Sequence, residues 1–184
     1  MINMPIVRGE KLIESVDKFV NSLNKNDEVE KAIVYNPDGS VFIKERIGTK
    51  NYVEYAHEEY LQMRGKILIH NHVDTGDLTD RVLSPDDLHR ATYYGMGKIQ
   101  AITLNSSAAF SPGMILSGNV SMRDQFLKGY AKVFETGKAH VSELLGDEPS
   151  VAGAIQNTAR NMSDYLKENQ HKYGYRYDER GIFE

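Results

Sequence analysis

"KILIHNHVDTGDLTDRVLSPDDLHRA" runs from Lys66 to Ala91 and joins a short apolar run to a helix start through an aspartate-rich loop. Ile67, Leu68 and Ile69 favour β structure at strand length, so the run reads as a buried strand that ends in two histidines. Side chains at i and i+2 leave a strand on the same face. His70 and His72 therefore project together, and Ile67 and Ile69 face the other side. Downstream, Ser84 stands at an N-cap position, with Pro85 first in the helix and Asp87 three residues after the cap. That is close to a capping box. Two readings fit the stretch: a metal site shared by a strand and a helix, or a strand end, a solvated loop and an ordinary cap in succession.

Two imidazoles on one strand face can chelate a single zinc, and a catalytic zinc usually takes three protein ligands plus a water. Asp74, Asp77, Asp80, Asp86 and Asp87 are the candidates for the third ligand. The loop aspartates are also simple turn formers, whereas Asp87 is carried on the first turn of a helix. Cap and site can share residues, because a Ser held at an N-cap could face a reacting carbonyl. Hydrolysis further needs a carboxylate to move a proton to a leaving amine. Glu45, near the end of "SVFIKERI", is the candidate base, with Glu54, Glu58 and Glu59 as rivals that also pass as helix surface.

Working outward, Leu12, Val16, Phe19, Val20 and Leu23 mark one face of an amphipathic helix over residues 9–23. "KAIVY" (31–35) and "SVFIKERI" (40–47) read as strands of an antiparallel hairpin closed by "NPDG". A second helix is expected over about 52–63, with Gly65 ending it. "KIQAITL" (98–104) is another strand, and "AAFSPGMILSG" (108–118) a short strand or irregular segment. This order predicts an α/β (α+β) domain with a mixed sheet flanked by helices over residues 1–118. From Phe126 to Leu145 the apolar residues keep helical spacing, "GDEPS" interrupts, and Val151 to Leu166 resume it. Residues 119–184 are thus expected to form a C-terminal helical hairpin, an appendage suited to oligomer or assembly contacts, with an aromatic and charged tail.

Composition narrows the chemistry. With no cysteine, a metal would rest on His, Asp or Glu, which suits zinc or a similar divalent ion. A net charge of −4 without a basic stripe argues against a nucleic-acid partner. The HNH-nuclease reading fails on the same ground, and because its residues would be spread over a ββ-metal unit. No apolar run approaches the roughly 20 residues that span a bilayer, and "MINMPIVRGEKL" lacks the apolar core of a secretory signal. A cytoplasmic location is the expectation.

Glu45, His70-x-His72 and Ser84-x-x-Asp87 together resemble the JAMM signature of JAB/MPN-type metalloproteases, and "DGSVFIKERIGT" and "ILIHNH" look like the related RadC-type proteins. The resemblance covers roughly residues 28–105. It implies a JAB/MPN-like (cytidine deaminase-like) core, Zn2+ on His70, His72 and Asp87, Glu45 as general base and acid, and Ser84 stabilising the oxyanion. The implied reaction is hydrolysis of a peptide or isopeptide bond in a protein or peptide substrate. Val73 stands where the family usually has Pro, and the His72–Ser84 spacing is longer than the family pattern, an insertion that costs little on a surface loop. JAB-like domains also resemble phage-associated proteins. The alternative expectation is a catalytically inactive JAB-like binding or scaffold protein of a phage or other assembly, virion-associated if so.

Overall fold

A computed structural model describes residues 10–23, 28–73, 80–103, 106–144 and 148–181. Asp74, Asp77, Leu145 and the side chain of Leu12 lie outside the described residues. Helix α1 (Glu10–Ser22) is followed by strands β1 (Lys31–Tyr35) and β2 (Val41–Ile47), helix α2 (His57–Gln62) and strand β3 (Ile67–Asn71). Next come α3 (Pro85–Tyr93), β4 (Lys98–Ile102), β5 (Ser107–Ser111), α4 (Gly113–Gly118), α5 (Val120–Glu143), α6 (Glu148–Tyr173) and β6 (Arg176–Arg180). The six strands form one mixed sheet in the order β2-β1-β3-β4-β5-β6. Only β3 and β4 run parallel, and α3 makes the crossover between them.

The hairpin forms as its sequence predicts. Asn36 N–H donates to Ser40 O at 2.8 Å, and Gly39 takes φ +87°, a conformation open to glycine at little cost. The expected second helix is shorter than its pattern. Residues 52–56 are not helical: Val53 and Tyr55 are buried and Tyr52 and Glu54 exposed, an alternation of period two, and Ala56 is extended. The helix starts only after Ala56, whose N–H donates to the Glu59 carboxylate at 2.8 Å.

The sheet separates two apolar clusters. Phe19, Tyr35, Ile67, Ile69 and Ile102 pack with Val16 and Val20 of α1 and with Leu23 just beyond it on one face. Ala32, Val34, Leu68, Ile99 and Phe110 face the other side, in the cluster that holds Leu88 of α3 and the helical hairpin. That hairpin is not an appendage. Phe126 and Tyr130 of α5 and Met162 and Leu166 of α6 are fully buried in the same core as the sheet, so a boundary at residue 118 cuts through one hydrophobic unit. The tail, too, is structural: Tyr175 and Tyr177 point inward, and β6 pairs antiparallel with β5 as the sixth strand. The two long helices approach closely because Gly129 faces Tyr165 and Gly137 faces Thr158, where an added methyl would collide.

Candidate metal centre

The ladder continues past the end of β3, because His72 N–H donates to Ile102 O at 3.0 Å. Strand geometry therefore carries both imidazoles to the face of Leu68, opposite Ile67 and Ile69. His70 is flanked in the sheet by Ala32 of β1 and Ala101 of β4. These small side chains leave the space above the strands for the rings. From the other direction, Ser84 caps α3: its Oγ accepts from Asp87 N–H at 3.1 Å, while Asp87 Oδ2 accepts from Ser84 N–H at 2.8 Å. The capping box and the site are one structure, since this reciprocal cap fixes the Asp87 carboxylate toward the histidines.

His70 Nε2 lies 2.9 Å from His72 Nε2, and Asp87 Oδ1 and Oδ2 lie 3.5 and 3.7 Å from His70 Nε2 and His72 Nε2. All three side chains offer a donor atom within 4.8 Å of the others. Ligands of a tetrahedral zinc, each bonded at about 2.0–2.1 Å, stand roughly 3.4 Å apart, so the spacing fits one ion with small adjustment. The chemistry fits as well. Burial alone would raise the Asp87 carboxyl, yet the adjacent His70 and His72 hold it well below the usual carboxylate range, so it is an anion. At 2.9 Å at most one of the facing Nε2 atoms can carry a hydrogen, and with a cation bound between them neither does. His70 Nδ1 is buried without a hydrogen-bond partner among the described residues. A buried group of two nitrogens and one carboxylate could therefore bind a divalent metal.

Glu45 is not part of this group. It is exposed on β2, and β1 lies between β2 and the histidine strand. Its neighbour Arg46 is paired with Ala32 on the site face, whereas Glu45 acts electrostatically on Tyr35, on the α1 face. Glu54 and Glu58 are exposed, and Glu59 is engaged by Arg46 at 2.6 Å. The glutamate in the cleft is Glu30, two residues before Ala32 and on the same face of the chain. It is 8% exposed and lines a cleft of about 310 Å³ with His70, His72, Ser84 and Asp87. Among the described residues no hydrogen bond or ion pair reaches its carboxylate. Burial raises its pKa and Asp87 adds to that, while His70, His72 and Arg90 partly offset the rise.

The residue between the histidines contributes from the opposite face. Asn71 Oδ1 accepts from Lys31 N–H at 2.5 Å, and its amide donates to Val29 O at 3.5 Å, which ties the Glu30 segment to the end of β3. Tyr130 of α5 reaches the site from the core, donating to Leu83 O at 2.6 Å, directly before the Ser84 cap. Asp80 is buried and Asp86 exposed along the cleft, and neither joins the converging donors. The Ser84 hydroxyl donates to Asp87 Oδ2 at 2.8 Å. Its only hydrogen must change partner before it can serve a substrate oxygen.

Sequence reasoning missed Glu30, although a signal existed. The residue before "KAIVY" shares a face with Ala32, and in a hairpin whose first strand borders the histidine strand that residue, not one on the second strand, reaches the site. No helix of the described residues is long and apolar enough to cross a membrane. Comparison with protein-family models, curated proteins and solved structures found no match.

Proposed function

We propose that this chain is a metal-dependent hydrolase of the JAMM type, with a JAB/MPN-like core, cleaving a peptide or isopeptide bond. The observation that carries the reading is the convergence of His70, His72 and Asp87 beside a buried residue, Glu30, whose carboxylate has no partner among the described residues. His70, His72 and Asp87 would hold zinc. When bound, the ion supplies Lewis acidity, lowering a water's pKa to about 7 and polarising a carbonyl. Glu30 takes the role that the sequence resemblance gave to Glu45. Its carboxylate accepts a proton from the attacking water and returns it to the departing amine, and a raised pKa suits a group that must both take and give. Ser84 Oγ exchanges its bond to Asp87 for one to the substrate's carbonyl oxygen as charge develops there. Asn71 and Tyr130 hold the two segments that bring Glu30 and Ser84 to the reacting bond.

The test combines metal analysis with turnover. Purified protein given zinc should hold one equivalent, and His70→Ala should hold none. Glu30→Gln should keep the metal and lose about 10²–10⁴ of hydrolytic rate, while Glu45→Gln stays within twofold of wild type. Equal zinc in wild type and His70→Ala ends the metal reading, and loss on Glu45→Gln alone ends the assignment of Glu30. A scaffold reading draws on the exposed Met114, Ile115 and Val120 around α4, an apolar patch free to meet a partner. It expects bound zinc and no turnover of any peptide.

A further inference from the structure

Arg90 has no job in the chemistry above, and its surroundings are unusual for a guanidinium. It stands on α3 three residues after Asp87, so the two side chains share a helix face with Cβ atoms about 5–6 Å apart. It lines the same cleft as Glu30, His70 and His72, and it is half-buried. Its five N–H donors form a rigid planar fork. Among the described residues, no carboxylate or carbonyl accepts from that fork; its one recorded side-chain contact is the Tyr60 ring, 5.7 Å from the guanidinium carbon to the centroid. The cleft's carboxylates do not answer it. Asp87 is taken up by Ser84 and the histidines, and the charge of Arg90 reaches Glu30 without an ion pair. A partly desolvated guanidinium that returns no hydrogen bond is a cost unless a ligand supplies the acceptor.

Resting on the hydrolase reading, we propose that Arg90 is a specificity-determining residue that binds a substrate carboxylate beside the scissile amide. Three features select this ligand. A carboxylate accepts two parallel bonds from one guanidinium. The cleft also carries Glu30, Asp80, Asp86 and Asp87, which disfavours a doubly charged phosphate. One helical turn from Asp87, about 5.4 Å, spans one to two residues of extended peptide at roughly 3.3–3.6 Å each. The carboxylate is thus the α-carboxylate of a C-terminal residue released by the cut, or the side chain of an Asp or Glu adjoining the bond.

The experiment uses the full chain with zinc and three blocked dipeptides: N-acetyl-Ala-Ala with a free carboxylate, the same peptide as its C-terminal amide, and amidated N-acetyl-Ala-Asp. Binding is measured by calorimetry on the Glu30→Gln protein, which the proposed function makes inactive, and kcat/KM is measured on the protein with Glu30 intact. The free-carboxylate peptide should be favoured over its amide by about ten- to a hundredfold. Arg90→Gln should erase that preference by weakening only the carboxylate ligand, and Arg90→Lys should restore part of it. Preference for the amidated Asp peptide instead assigns the carboxylate to a side chain. Equal binding of all three peptides, no binding of any of them, or an equal loss for all ligands in Arg90→Gln overturns the proposal. Selective binding without turnover in the Glu30 protein would uphold the Arg90 subsite and fail the hydrolase. Should Arg90→Gln not fold, Arg90→Lys alone still decides, since a role confined to stacking on Tyr60 leaves the acid-to-amide ratio unchanged.

Discussion

The core beneath the helical hairpin and the cleft at the end of β3 both bury polar side chains, and they treat them in opposite ways. In the core, Tyr130, Tyr165 and Tyr175 donate to the carbonyls of Leu83, Phe126 and Leu166 at 2.6, 3.1 and 2.6 Å. Glu179 accepts from Ser163 and from Tyr177, and pairs with Lys167. In the cleft, His70 Nδ1 and the Tyr55 hydroxyl are buried with no hydrogen-bond partner, and Glu30 and Arg90 have none among the described residues. A buried group left without a partner costs about 1–3 kcal/mol. The fold satisfies its polar groups in one region and, among the described residues, leaves several without a protein partner in the other.

The largest effect that could break this contrast is expected at Asp87. Asp87→Asn keeps an amide oxygen able to accept from Ser84 N–H, so α3 remains capped, but it removes the anion between the histidines. Zinc affinity should fall by more than the roughly 10–100-fold that outer partners of a metal site are worth, read by competition with a chelating dye. The metal-free protein should still unfold cooperatively. Unchanged affinity would mean that the buried triad is a structural polar cluster like those of the core.

Much of this contrast was legible in the sequence, and the failures have common causes. The His-x-His alternation and the Ser84–Asp87 cap depend on neighbours a few residues away, so local rules located them. Glu30 was lost because its role depends on strand order: β1, not β2, borders β3, which no local pattern states. The hairpin was expected to be an appendage because helical spacing reveals an apolar face but not the surface it covers. "YGYRY" alternates as an inward-outward strand does, yet a strand at the chain's end has no partner until the sheet is assembled. Arg90 drew no reading from the sequence, since nothing nearby in the chain shows that a cleft is above it.

A smaller effect tests the bond that joins the two regions. Tyr130→Phe keeps the ring in a fully buried position and removes only the hydroxyl that Leu83 O accepts from. The unpaired carbonyl should cost about 1–3 kcal/mol in denaturant unfolding. Because Leu83 precedes the cap, zinc affinity should also fall, by roughly tenfold, near the low end for outer partners. A stability loss with unchanged affinity would separate the core from the site and reduce the bond to packing.

The smallest effect, and the sharpest in sign, compares buried Glu30 with half-buried Glu179 in protein freed of metal by a chelator. Burial raises Glu30 with no partner to offset it fully, whereas Glu179, which burial would also raise, is held below its ordinary 4.5 by Lys167, Ser163 and Tyr177. A raised carboxyl favours the fold only when protonated: that contribution is complete below 4.5 and is lost as pH rises through the folded value. A lowered carboxyl behaves in the reverse sense, contributing above 4.5 and losing its contribution as pH falls through its depressed value. Glu30→Gln should therefore raise the denaturation midpoint at neutral pH, with the gain vanishing in acid. Glu179→Gln should lower it at neutral pH, with the deficit vanishing in acid. Profiles of the same sign would show that Glu30 is satisfied by the protein as Glu179 is, and the carboxylate held open for a proton would have to be sought elsewhere.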